Sequence, residues 1–168
     1  MSRRILLLLL LLSLITATLH AQAKLAVYGT AGGEKTEINQ ESWTLAGTFG
    51  LYYGFAHLGP IAISGDARGD LSRNMNSALF GPRVALTLPA FPVKPYVEIL
   101  GGVSSYSTQD NGPKNNTSGN YRWVGGIDTT IFPRLDWRID YSYSAAGISQ
   151  ANITRHPQSL TSGLVIRF

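Results

Sequence analysis

Between Asp136 and Tyr143 the chain alternates without a break: Trp137, Ile139, Tyr141 and Tyr143 are large and apolar or aromatic, whereas Asp136, Arg138, Asp140 and Ser142 are charged or polar. Period-two alternation sends the two sets to opposite faces of a strand. Residues 160–168 repeat the arrangement, with Leu160, Ser162, Leu164, Ile166 and Phe168 set against Thr161, Gly163, Val165 and Arg167. About nine to eleven tilted residues suffice to cross a bilayer as a strand. Segments of this kind need an apolar medium on one side and a polar one on the other.

The start of the chain says where such segments are sent. Arg3-Arg4, the apolar run Ile5 to Ile15 and Ala21-Gln22-Ala23 follow the order of a secretory leader, with an expected cleavage after Ala23 and a mature domain over 24–168. The apolar run is too short for a spanning helix, which needs about twenty residues. No later segment is apolar enough for one either. A mature chain that enters a membrane must therefore do so as a closed β-barrel, because only helices and closed barrels satisfy every backbone polar group in lipid.

Removing the two leader arginines leaves twelve basic against ten acidic residues. With no Lys/Arg-rich block, nucleic-acid binding is not expected. The chain has no cysteine, so disulfides play no part, and its 18 glycines and 8 tyrosines with 14% charged residues suit strands, turns and interfacial aromatics.

Alternation between turn signals predicts eight strands, over residues 25–32, 43–53, 61–70, 78–88, 94–106, 120–132, 136–143 and 160–168. The connections run long, short, long, short, long, short, long, with residues 73–76 and 107–119 read as loops and 145–157 as another. Outer-membrane barrels have an even number of antiparallel strands, with short turns at one end and long loops at the other. Pro82 and Pro95 fall within strands and should each cost a ladder donor. Trp43, Tyr53, Phe132 and Trp137 lie near strand ends, where interfacial girdles belong.

The fold class expected is an all-β, eight-stranded antiparallel up-and-down transmembrane barrel. Its polar face collects Asp66, Arg68, Arg83, Glu98, Arg122, Asp128, Arg138, Asp140 and Arg167. Eight strands leave an interior only wide enough for side chains, so these charges are expected to pair as a closed network. Counted from the short turns, Arg83, Glu98, Asp128, Arg138, Asp140 and Arg167 should lie at similar depth.

With its strand count, its loop rhythm and its Leu164-Val165-Ile166-Arg167-Phe168 ending, the chain resembles the small outer-membrane barrels of the OmpA and OmpX type. The resemblance covers the whole mature chain and leaves no room for a peptidoglycan-binding domain. It implies residence in the bacterial outer membrane, contact with its lipid and assembly signalled by Phe168 to the barrel-insertion machinery. It also implies a monomer with a structural, adhesive or defensive role and surface ligands at its loops.

Two other classes compete. The lipid A deacylase family pairs a His with a Ser two residues later and a Glu beyond; here His156 and Ser159 are three apart and no Glu follows. His20 lies in the leader and His57 in a turn, so neither a catalytic triad nor a metal site is expected, and no cofactor is implied. Asn115-Asn116-Thr117 and Asn152-Ile153-Thr154 match the glycosylation sequon, which in a bacterial protein indicates polar loops. A soluble, lipocalin-like barrel would need its apolar face inward around a ligand, and the charges on the polar face argue against that.

Overall fold

The computed structural model describes residues 25–35, 43–88, 91–107, 116–148 and 153–168. The leader, residues 1–23, lies outside them, as does most of the expected loop at 107–119. The strands in chain order are β1 (Leu25–Lys35), β2 (Trp43–Leu58), β3 (Ile61–Ser72), β4 (Met75–Leu86), β5 (Val93–Tyr106), β6 (Asn116–Phe132), β7 (Leu135–Ile148), β8 (Ile153–Arg155) and β9 (Gln158–Arg167). Neighbours from β1 to β7 pair antiparallel, β9 pairs with β7, and β9 returns to β1 in an unbroken register from Ala26↔Arg167 to Lys35↔Gln158. Eight strands thus close a ring. The short β8 lies outside it, paired with the far end of β7.

Every ring strand has at least ten residues, enough to cross a bilayer at a tilt. Alternation decides which way each side chain points. On β4, and on β5 from Val93 to Leu100, the burial flips residue by residue, so that Phe80, Val84, Val97 and Ile99 face out while Leu79, Arg83, Tyr96 and Glu98 face in. Among the described residues, no outward position of β2 to β7 or of β9 carries a charge. The outer wall instead exposes side chains such as Leu45, Phe80, Trp123, Tyr121, Phe132 and Leu164.

Several boundaries differ from the sequence expectation. Residues 73–76 do not form a long loop: β3 and β4 are joined by a two-residue turn at Arg73-Asn74. Ser72 closes it, with its hydroxyl accepting the Met75 N–H at 3.0 Å and donating to the Met75 carbonyl at 2.9 Å. Met75 is then pulled beneath the turn and buried with Tyr106. The break expected after Tyr53 is instead a bulge between Gly54 and Ala56, after which β2 runs on to a Gly59-Pro60 turn. β6 begins at Asn116, and β7 extends to Ile148, so the loops after β5 and β7 are shorter than they read.

The two strand prolines act on one seam. Pairing between β4 and β5 skips Gly81 and Pro82, resumes at Arg83↔Glu98 and stops at Ala85↔Tyr96, next to Pro95. Each proline keeps its pairing on the other side, Pro82 with Gly65 and Pro95 with Ile127.

Two inward glycines make room for two inward tyrosines. Tyr28 is paired with Gly50 and Tyr96 with Gly126. A Cβ at Gly50 would lie 2.5 Å from the Tyr28 hydroxyl oxygen, and one at Gly126 would lie 2.5 Å from that of Tyr96. The rings therefore lie across the barrel interior over their glycine partners. Replacing Gly126 by Ala should destabilise the barrel by about 1–3 kcal/mol, the range for overpacking, whereas Gly125→Ala, whose Cβ meets nothing within 4 Å, should be nearly silent. Urea unfolding of the two variants in lipid checks the difference.

Candidate functional site: the barrel lumen

Inside the ring, alternation gathers polar side chains from every strand into a stack of layers. At the short-turn mouth, Asp136 stands between two cations. Lys94 Nζ donates to its two oxygens at 3.2 and 3.0 Å, and Arg167 reaches Oδ1 at 2.9 Å.

The next layer is centred on Arg138, which is fully buried. Its Nε and a terminal nitrogen donate to the two oxygens of Asp128 at 2.7 and 2.9 Å, the forked geometry of strong charge-assisted pairs. Arg83 shares the same carboxylate at 2.8 Å. Around the Arg138 guanidinium stand three tyrosine rings, with centroids at 4.2 Å for Tyr28, 4.7 Å for Tyr96 and 5.5 Å for Tyr52. Arg83 lies over Tyr52 and Tyr96 at 4.2 and 4.3 Å. Ring faces attract cations most where water is excluded, so the tyrosines supply partners that the carboxylates do not.

Above it, Arg68 bridges the lumen from β3 to β7. It donates to Asp140 at 3.0 Å and to the Tyr28 hydroxyl at 3.1 Å, while Tyr28 donates to Asp66 at 2.7 Å. Asp140 also accepts from Tyr96 at 3.2 Å and Thr161 at 3.0 Å. Glu98 sits between layers, held by charge at 3.3 Å from Arg83 and 3.6 Å from Arg68. Higher still, Asp70 accepts from Arg122, from Ser77 at 2.5 Å and from Thr48 at 2.7 Å. Arg122 Nε completes its set on Ser144 at 2.7 Å.

The nine charges singled out from sequence, Asp66, Arg68, Arg83, Glu98, Arg122, Asp128, Arg138, Asp140 and Arg167, all lie on the inner wall. Of the six expected at similar depth, two do not share the Arg138 layer: Arg167 belongs to the mouth with Asp136, and Asp140 to the layer above with Arg68. Lys94, Asp70 and Asp136 and the three tyrosines were missing from the expected network. The three charges follow the same alternation: Asp70 lies two residues from Arg68, Asp136 two from Arg138 and Lys94 four from Glu98. Phe168 is exposed, with its N–H donating to the Leu25 carbonyl at 2.9 Å.

The wall separates the residues of the hydrolase alternative. His156 stacks on the outward Tyr143 at 5.5 Å, while Ser159 points inward and shares a hydrogen bond of 2.7 Å with Ser142. Position 158, two residues after the histidine, holds Gln158, which accepts from Tyr141 at 2.9 Å. Among the described residues no group of His, Asp or Glu is arranged to hold a metal.

No protein-family model matches the chain, and no curated protein matches it in sequence. Solved structures do share its fold. Neisserial surface protein A is similar with a TM-score of 0.65 at 15% identity, over 89% of this chain and all of that one. A de novo designed transmembrane β-barrel matches with a TM-score of 0.54 at 15% identity, over 88% of this chain and 98% of its own. The outer membrane enzyme PagL matches with a TM-score of 0.54 at 15% identity, over 84% and 99%. The chain therefore has the fold of the small eight-stranded transmembrane barrels. That fold is shared by an enzyme and by a designed protein, so it carries no activity with it.

Removing one member of the buried layer should cost far more than removing one at the mouth. Arg138→Ala leaves Asp128 with Arg83 alone and removes the guanidinium that all three tyrosine rings share, and should destabilise by about 3–5 kcal/mol. Lys94→Ala leaves Asp136 paired with Arg167 and should cost about 1 kcal/mol or less. Equilibrium urea unfolding in lipid vesicles ranks the two.

Proposed function

We propose that the protein is an outer-membrane barrel of a Gram-negative bacterium, exported by the leader over residues 1–23, that serves as a closed scaffold for its surface loops and performs no catalysis. The observation that carries this reading is the inversion of the usual soluble arrangement: charge is packed within and apolar side chains are spread over the outer wall. Exposed apolar surface of this extent needs an apolar surrounding. A closed strand ring is one of two structures that lipid tolerates.

Even the polar groups of the outer wall support a lipid surrounding. Trp137 Nε1 donates to Ser162 Oγ at 2.9 Å, and the Tyr141 hydroxyl donates to Gln158, so these two outward donors on the β7–β9 face are satisfied without water. The lumen supports the scaffold reading over a pore, because arginines, carboxylates and tyrosine rings from opposite strands meet across it. A lipocalin-like role is disfavoured by the same charges, which offer an apolar ligand no cavity.

In this reading the monomer is anchored by lipid and assembled through its C-terminal strand, with Phe168 as the signal. The end of the barrel opposite the termini, marked by the Arg73-Asn74 turn, faces the exterior and holds whatever surface ligand the protein has. The reading is tested on the protein made in its own type of cell. It should fractionate with the outer membrane, shift its mobility on unboiled gels, and give no large steady conductance in planar bilayers. Recovery as a soluble periplasmic protein would refute the location, and stable large channels would refute the closed lumen.

A further inference from the structure

The charges of the lumen are unevenly divided along its axis. In the two layers nearest the short turns, four cations, Lys94, Arg167, Arg83 and Arg138, share two carboxylates, Asp136 and Asp128. Above them, Arg68 and Arg122 face Asp66, Asp70 and Asp140, with Glu98 between the two halves. Even if Glu98 is assigned wholly to Arg83, the lower half keeps a positive excess of one. That excess borders a cavity of about 270 Å³ at the short-turn mouth, lined by Arg83, Lys94, Arg167, Asp128 and His57 among others.

We propose that this mouth binds a phosphate-class oxyanion. Arg167 and Lys94 retain side-chain exposures of 25% and 18%, so both can meet a ligand arriving from solution. The Arg167 Nε has no hydrogen-bond partner among the described residues, although it is buried. One carboxylate cannot spend the donors of an ammonium and a guanidinium together. An Arg fork beside a Lys point charge is the donor set that suits tetrahedral oxyanions. The cavity has room for a phosphate and several waters. The anion would complete the mouth as Asp136 alone does not, and offset the excess charge left by the pairing below Glu98. Its source is either a soluble phosphate or the headgroup of a phospholipid in the adjacent leaflet.

The test uses the protein purified in a phosphate-free maltoside detergent, titrated calorimetrically with inorganic phosphate and with chloride at matched ionic strength. Saturable binding of phosphate and none of chloride is expected. Affinity should fall at least tenfold in Lys94→Gln, which removes only a mouth charge and leaves the deeper network intact, and should vanish in Lys94→Gln/Arg167→Gln. Arg73→Gln, at the opposite end of the barrel, should bind as the parent does. Competition by micelles containing an anionic phospholipid would assign the site to a headgroup; indifference to them would assign it to the soluble ion. Either result supports the site. Absence of saturable phosphate binding by the unaltered protein, or equal affinity in Lys94→Gln, would overturn it.

Discussion

Everything in this barrel depends on the pairing of its last ring strand with its first. Until β9 meets β1, two strand edges expose unpaired N–H and C=O groups, and in lipid each such group costs several kcal/mol. The Ala26↔Arg167 to Lys35↔Gln158 register removes both edges at once. Closure then fixes the inside and the outside for all strands together, because a slip of one residue would exchange the two faces. A lumen lined by Arg68, Arg83, Arg122 and Arg138 could not tolerate that exchange, since the arginines would turn into the hydrocarbon. The charged face thus specifies the register as strongly as the apolar one does.

The buried charges are not primarily a source of stability. Bringing guanidinium and carboxylate groups out of water costs several kcal/mol per ion, and pairing largely offsets that cost. What the network supplies is filling with specificity. Arg138 meets Asp128 directly across the β6–β7 ladder and meets three tyrosines from β1, β2 and β5, so one side chain fixes the relative position of five strands. The glycines at 50 and 126 are part of the same design, because they are the space that the rings of Tyr28 and Tyr96 enter.

Much of this was legible in the sequence, and the boundary of legibility is physical. The faces were readable wherever alternation ran unbroken, as from Trp137 to Tyr143, because period two depends only on the local backbone. Partners across one ladder were nearly readable: Arg83↔Glu98 and Asp128↔Arg138 are opposed through short turns. Partners across the lumen were not. The Arg68 bridge to Asp140 spans 72 residues and exists only once the ring has closed with a particular stagger. The same stagger sends Arg167 to Asp136 at the mouth, away from the depth of Arg138. The Arg73-Asn74 turn was misread because Asn76 and Ser77 look like loop residues, whereas Ser72 and Met75 close the hairpin before them.

A transmembrane barrel of this kind turns its apolar face to lipid and its charged face to the lumen. The chain has no cysteine, so single cysteines introduced in turn at residues 96–101, 103 and 104 of β5 each carry the only spin label; Gly102 is left out because a Cβ there would lie 2.1 Å from the Ala78 carbonyl oxygen. In bilayers, collision with dissolved oxygen reports exposure to hydrocarbon. A period of two is expected, high at positions 97, 99, 101 and 103 and low at 96, 98, 100 and 104, with Leu100 low despite being apolar. The opposite phase, or exposure that follows hydrophobicity without regard to period, would contradict it.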